Sequence, residues 1–234
     1  MPVNPNAAIE ITAFQWVPDF AQGLVRDLRA RWALEEAGLD YRVRLVGQER
    51  PPEYLAEQPF DQVPCFSDGK VKIFETGAIV QYIGEQSETL LPRDPQGKFR
   101  AIQWTCAALN SVEPAFINLL LIDVFFTNEE WAKLRRPGAA DFARQKLKRV
   151  SDWLGDKQWL EGDRFTIGDL LMVTVLRFLR HTNLVASFPN LAAYLKRGEE
   201  RPAFQRALAD QVAVYAANQP QPEPANPQTE GAAA

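Results

Sequence analysis

Gln62-Val63-Pro64-Cys65-Phe66-Ser67-Asp68-Gly69-Lys70-Val71-Lys72-Ile73-Phe74-Glu75-Thr76 is the stretch on which the fold turns. Two short apolar runs, Val63–Phe66 and Val71–Phe74, flank Ser67-Asp68-Gly69-Lys70. An Asp-Gly core between such runs is a hairpin signal, because both residues tolerate the positive φ of a tight turn. Thr76 then opens a helical pattern that continues to Gln86, and its hydroxyl is suited to cap the first turn.

Upstream, Ile9, Ile11 and Ala13 alternate with Glu10 and Thr12, and Phe14–Val17 extends the strand. Pro18 and Asp19 break it and open a helix to Glu36, with Leu24, Val25, Leu28, Trp32 and Leu34 at helical spacing and Gly38 as the stop. Tyr41–Val46 alternates again, and Pro52–Glu57 suits one short helix. The order βαβ, then ββα, predicts an α/β thioredoxin-like N-terminal domain on a mixed four-stranded sheet: a parallel pair followed by a hairpin.

Downstream, Pro92 and Pro95 mark a linker, and the strand signal then vanishes. Lys98–Phe126, Ala139–Leu154, Thr166–Arg180, Leu191–Arg197 and Pro202–Tyr215 read as helices, giving an all-α C-terminal domain. The expected boundaries are 9–86, a linker over 87–96, a helical domain over 97–218, and a Pro-rich disordered tail over 219–234. Thr166–Arg180 is apolar on nearly every side and belongs at a domain centre. Thr166 and Asp169 form a capping-box variant at its start, with Phe165 and Leu170 as a hydrophobic staple.

Composition excludes much chemistry. The 234 residues carry a net charge of −4, one histidine and two cysteines, Cys65 and Cys106. No basic footprint points to nucleic acid, no apolar run comes near the ~20 residues that cross a bilayer, and the scattered thiols and lone His181 make no zinc set, so no metal is expected. Arg26, Arg29 and Arg31 alternate with apolar residues and Asp27, which suits the wet face of a helix. No basic-then-apolar leader stands at Met1–Ala8, and the free thiols fit a reducing compartment, so a cytoplasmic location is expected.

Two short motifs carry chemistry. A proline opening a strand, as at Val63-Pro64, is confined to an edge or a special bend; it is either an ordinary strand start or a place where a peptide adds as a further strand. Glu75-Thr76 is either a plain cap or a cradle for an amino-acid zwitterion, with the carboxylate on the helix amides and hydroxyl and the ammonium on Glu75.

Gln62-Val63-Pro64, Glu75-Thr76 eleven residues after the proline, and Thr166-Ile167-Gly168-Asp169 much later resemble in order and spacing the landmarks of the cytosolic glutathione transferase family. Trp32–Tyr41 is similar to that family's first helix end, and the resemblance covers residues 9–215. It implies a cis Val63–Pro64 bond, with Val63 pairing to the cysteinyl part of glutathione and Gln62 beside it. It also implies that Glu75 and Thr76 grip the γ-glutamyl end, with Gln48 and Arg50 as candidates for the glycyl carboxylate. Phe20, Trp104 and Phe116 are either the implied walls of a second pocket for a small hydrophobic electrophile or core residues, and a homodimer is implied. The activity implied is use of the glutathione thiol on an electrophilic or reducible substrate; the alternative is a non-catalytic regulatory or protein-binding module of the same fold.

One landmark is missing. The family activates the thiol with a Tyr, Ser or Cys near the first strand's end, and Ala13–Asp40 contains no Ser, Thr, Tyr or Cys. The backbone amides of Phe20–Gln22, the side chain of Gln22 or Arg26, or no group at all remain as activators, and the catalytic residue is unknown at this point.

Overall fold

The computed structural model describes residues 3–220, so the expected tail lies outside the described residues apart from Gln219 and Pro220. Its sheet has the order β2-β1-β3-β4. Strand β1 (Ile9–Phe14) pairs in parallel with β2 (Tyr41–Val46), from Ile9 opposite Tyr41 to Phe14 opposite Val46. Strands β3 (Cys65–Ser67) and β4 (Lys72–Phe74) make the antiparallel hairpin, and β3 pairs with β1. This is the mixed sheet that the sequence predicts.

Helix α1 (Asp27–Ala37) starts well after Pro18. Residues Asp19–Ala21 form a single 3-10 turn, and Gly23 then turns the chain at φ +74, where an added Cβ would lie 2.9 Å from Leu208. Only glycine combines that dihedral with so close a neighbour. At the other end Gly38 adopts the left-handed conformation, and its N–H caps the Glu35 carbonyl. Helix α2 (Thr76–Gly84) follows β4 directly.

The helical half begins with α3 (Pro95–Cys106) and runs without a break through a π-helical turn (Ala107–Val112), α4 (Glu113–Leu120) and a second π-helical turn (Leu121–Phe125). Pro114 explains the first wide turn, since proline lacks an N–H and crowds the carbonyl four residues back. The run Pro95–Phe125, 31 residues, has the length and composition to cross a bilayer, contrary to the expectation from sequence. Here Ala101, Ala108, Val112, Phe116, Leu119 and Ile122 enter the protein core instead. Helix α5 (Glu130–Leu154) begins nine residues before the expected Ala139, because Pro137 sits inside it without ending it. Helices α6 (Ile167–Leu176), α7 (Pro189–Glu199) and α8 (Pro202–Ala217) complete the fold.

One core joins the two halves: Ile11, Leu28, Trp32, Tyr41 and Phe66 from the sheet side are continuous with Leu170, Leu171 and Val175 of α6. All of α6 is buried, and Gly168 lets its first turn meet α3, where an added Cβ would lie 2.5 Å from the Trp104 Cβ. The predicted capping box is present. Thr166 Oγ1 accepts from the Gly168 N–H, and Asp169 Oδ2 accepts from the Thr166 N–H at 3.0 Å. Asp169 Oδ1 also accepts from the Leu160 N–H and the Tyr194 hydroxyl.

Asp169→Ala removes the cap and orphans buried donors, so a loss of about 3 kcal/mol is expected in urea unfolding. Burial pushes the Asp169 carboxyl up to about 6 in spite of its donors. Its protonated form is therefore favoured by the fold, and its contribution to stability falls as pH rises from 3.8, its ordinary value, to about 6, and is level above that. Unfolding measured across that range shows this slope in the parent and not in Asp169→Asn.

Candidate functional site

The loop before β3 is held by a chain of hydroxyls. Thr12 Oγ1 accepts from the Cys65 N–H at 2.7 Å and lies 2.9 Å from the Tyr54 hydroxyl, which donates to the Gln62 carbonyl at 2.8 Å. Burial raises the Tyr54 hydroxyl to about 12, so it stays a neutral donor. The Val63–Pro64 bond is cis, and the Val63 N–H and C=O have no partner among the described residues. They do not lie on a sheet edge as the sequence reading supposed: β3 is an interior strand, and Val63 stands just before its ladder begins.

Glu75, at the start of α2, is held at φ +71, a conformation that costs a non-glycine residue about 1–3 kcal/mol. The bend exposes its carboxylate beside Thr76. Gln62, Val63, Pro64, Glu75 and Thr76, the five residues singled out from sequence, line one polar cavity of about 210 Å³. Arg26, Arg29, Gln58, Leu109, Asn110 and Glu113 complete it.

The second set centres on a buried carboxylate. Glu113 Oε1 accepts from Arg26 Nε and Nη2 at 3.0 and 2.7 Å, and Oε2 accepts from Arg29 Nη2 at 2.8 Å. Arg29 also donates to Thr76 Oγ1 and Thr174 Oγ1. With its oxygen accepting from Arg29, the Thr76 hydroxyl keeps its own proton to donate into the cavity. The wet-face reading of this helix is wrong: Asp27, Arg29 and Arg31 are only 0%, 2% and 1% exposed. Burial lowers the affinity of the Arg29 guanidinium for its proton, and Glu113 opposes that. Each buried arginine has a carboxylate within hydrogen-bond reach, Glu113 for Arg29 and Asp27 for Arg31, which is what makes burial of such charges tolerable.

Beside the polar cavity lies an apolar one of about 250 Å³, walled by Phe14, Phe20, Leu24, Val25, Leu120 and Phe125. Phe20 and Phe125 meet edge to face, with ring centroids 5.4 Å apart. The two cavities share Arg26, Gln62 and Val63. Phe20 lines this cavity, whereas Trp104 and Phe116 do not and take the core role that the sequence left open for them. Phe116 is fully buried in the core, and Trp104 packs on Trp153 with its N–H donated to Glu161. Both are large apolar side chains on a helix whose inward face the core consumes.

Gln48 donates to the Trp16 carbonyl, and Arg50 pairs with Asp61 over the Phe14 ring; neither lines the polar cavity. Gln22 donates to Asp19 and Val17, and the amides of Ala21 and Gln22 are spent inside the turn. Sequence reading missed Arg29, Gln58, Leu109, Asn110 and Glu113, and in the apolar wall Phe14, Leu24, Val25, Leu120 and Phe125. One signal was available: Glu113-Pro114 interrupts an otherwise apolar helical run. No group of side chains suited to hold a metal ion occurs among the described residues.

Residues 21–85 match the glutathione S-transferase N-terminal domain model and residues 137–202 the C-terminal one. The chain is 30% identical to glutathione S-transferase GstA of Escherichia coli O157:H7 over 78% of this chain and 92% of that one. It is 29% identical to glutathione S-transferase F14 of Arabidopsis thaliana, over 76% and 77% of the two chains. Among solved structures, a glutathione transferase from Burkholderia graminis with two glutathione molecules bound per subunit superposes at TM-score 0.74, with 26% identity and coverage of 86% and 87%. A theta class enzyme from Xanthomonas axonopodis pv. citri with glutathione bound gives 0.71 and 26%, covering 86% and 97%.

Replacing Glu113 by alanine leaves two guanidinium groups without their shared partner, so unfolding by urea should register a loss of about 3–5 kcal/mol. Adding Arg29→Met to that variant should restore part of it.

Proposed function

This chain belongs to the glutathione S-transferase family, and on that footing we propose that it joins glutathione, bound in the polar cavity, to an apolar electrophile held in the adjoining one. The observation that carries the reading is the contact between the cavities: a polar site of amino-acid chemistry opens, across Arg26, Gln62 and Val63, onto a site of aromatic and aliphatic chemistry. Glutathione bound to the Burkholderia graminis and Xanthomonas relatives supports the same ligand here.

In this reading Glu75 takes the γ-glutamyl ammonium and Thr76, at the start of α2, takes its carboxylate. The partnerless Val63 N–H and C=O pair with the cysteinyl residue as a short added strand. The thiol then lies at the shared wall. Its sulfur forms a bond to an electrophilic carbon in the apolar cavity, and the leaving group departs with its electron pair.

A second glutathione in that cavity is a poorer fit. It would bring two carboxylates and an ammonium against Phe14, Phe20, Leu24, Val25, Leu120 and Phe125, in a lining whose charged members are Arg26 and an Asp61 already paired with Arg50. A flat apolar electrophile would meet the aromatic walls instead. The presence of this second cavity also favours an enzyme over a non-catalytic binding module. No metal has a part in the scheme. A homodimer and a cytoplasmic location belong to the same proposal; Cys65 and Cys106 are both free thiols.

Isothermal calorimetry should show glutathione binding that falls about tenfold or more in Glu75→Ala, since a charged hydrogen bond contributes about 1.5–3 kcal/mol. A parent protein that binds no glutathione removes the proposal. Phe125→Ala should raise the KM for an aromatic electrophile several-fold through lost ring contact, while glutathione affinity stays as in the parent.

A further inference from the structure

A thiol becomes a good nucleophile when its anion is stabilised, and the usual hydroxyl for that task is absent between Ala13 and Asp40. The hydroxyl that does line the polar cavity, Thr76, is bonded to Arg29 and stands beside Glu75, at the amino-acid end of the site. At the shared wall the choice is narrow. Among the described residues, Arg26 is the only cationic side chain that lines both cavities.

Its surroundings leave it free to act. Arg26 and Arg29 bring two positive charges against the single carboxylate of Glu113, so the trio carries a surplus of one positive charge. Arg29 is buried and spends its Nε, Nη1 and Nη2 on Thr174, Thr76 and Glu113. Arg26 is 38% exposed and spends only Nε and Nη2, so Nη1 has no partner among the described residues. The accessible arginine of the pair thus keeps one amino group unengaged among the described residues.

The backbone that carries Arg26 is clamped from the last helix. Gln211 of α8 is fully buried. Its Oε1 accepts from the Gly23 N–H at 3.2 Å, and its Nε2 donates to Asp27 Oδ1 at 2.6 Å and to the Val25 carbonyl at 3.3 Å. One side chain thereby ties the backbone before residue 26 to the Asp27 side chain that follows it. Arg177 adds bonds from Nε and Nη2 to the Gly23 carbonyl.

We infer that Arg26 is the catalytic residue that stabilises the glutathione thiolate, donating to the sulfur from Nη1, and that Gln211 is a positioning residue for it. The inference rests on the glutathione reading of the site above. A guanidinium stays protonated at any working pH, so it is no base: the thiol proton leaves to solvent, and Arg26 lowers the cost of the anion left behind. The sulfur electron pair then forms the carbon–sulfur bond, and the leaving group takes the bonding pair of the bond that breaks.

Ultraviolet titration of the thiolate in the glutathione complex tests this on the full chain, for the parent, Arg26→Gln, Arg26→Lys, Gln211→Leu and the Arg26→Gln/Gln211→Leu double variant. Calorimetry gives glutathione affinity alongside. The bound thiol of the parent is expected to be about tenfold more acidic than free glutathione, and Arg26→Gln to lose that tenfold with affinity changed by less than about threefold. Arg26→Lys, which keeps a cation without the planar fork, should retain part of the effect. Gln211→Leu should lose part of it, and the double variant should be no worse than Arg26→Gln alone, a coupling that general loosening of the fold would not produce.

Glutathione bound at parental affinity with equal thiol acidity in parent and Arg26→Gln overturns the inference and leaves the binding reading intact. So does a parental thiol no more acidic than free glutathione. Additive losses in the double variant overturn the role of Gln211. No binding by the parent overturns reading and inference together.

Discussion

Glu113 is shared by two arginines of the first helical segment, and much of the molecule is arranged so that this sharing is possible. The carboxylate comes from α4 and the guanidinium groups from Arg26 and from α1, so the ion cluster joins the helical half to the sheet half at the polar cavity. Burying Arg29 and Glu113 is expensive unless each finds its partner at short range, and here each does. The π-helical turn before Pro114 sets the phase of the helix at that point, and Leu109, Asn110 and Glu113, in or next to that turn, line the cavity. A wide turn forced by a proline is thereby turned to use at a binding site.

The cavities are built from opposite kinds of support. The polar one is framed by backbone geometry: a loop fixed by Thr12, Tyr54 and Gln62, and a helix entry fixed by the positive φ of Glu75. The apolar one is framed by side chains from a turn, from β1 and from the end of the long helical run, where Phe20 and Phe125 close on one another. A polar cavity framed by backbone thus stands beside an apolar one framed by side chains. The two share a wall of Arg26, Gln62 and Val63, and Arg26 has a terminal amino group unengaged among the described residues.

α8 ties the last helix of the chain to that region. Gln211 reaches into the turn that precedes α1, so the segment leading into Arg26 is braced from nearly two hundred residues away in sequence. Gly23 makes this approach possible, since a side chain there would strike Leu208 and Arg177. The position of the turn is therefore a property of the whole fold and not of the local segment.

Local pattern alone determined the sheet order of events, the hairpin at Asp68-Gly69, the cap on α6 and the two motifs of the polar cavity, because each depends on neighbours in sequence: alternation, turn dihedrals, and a hydroxyl three residues from its partner. It also brought the family resemblance that Gln62-Val63-Pro64 and Glu75-Thr76 carry. It misread the arginines of α1 as solvated, since a charge that is buried with a partner looks in sequence like a charge that faces water, and the partner, Glu113, lies far along the chain. It left Trp104 and Phe116 between a pocket and the core, because size and apolarity do not say which way a helix face turns. Tertiary structure alone decided which aromatics face the apolar cavity, which carboxylate meets which guanidinium, and which group stands between the two cavities, for these are matters of packing between elements that no local pattern encodes.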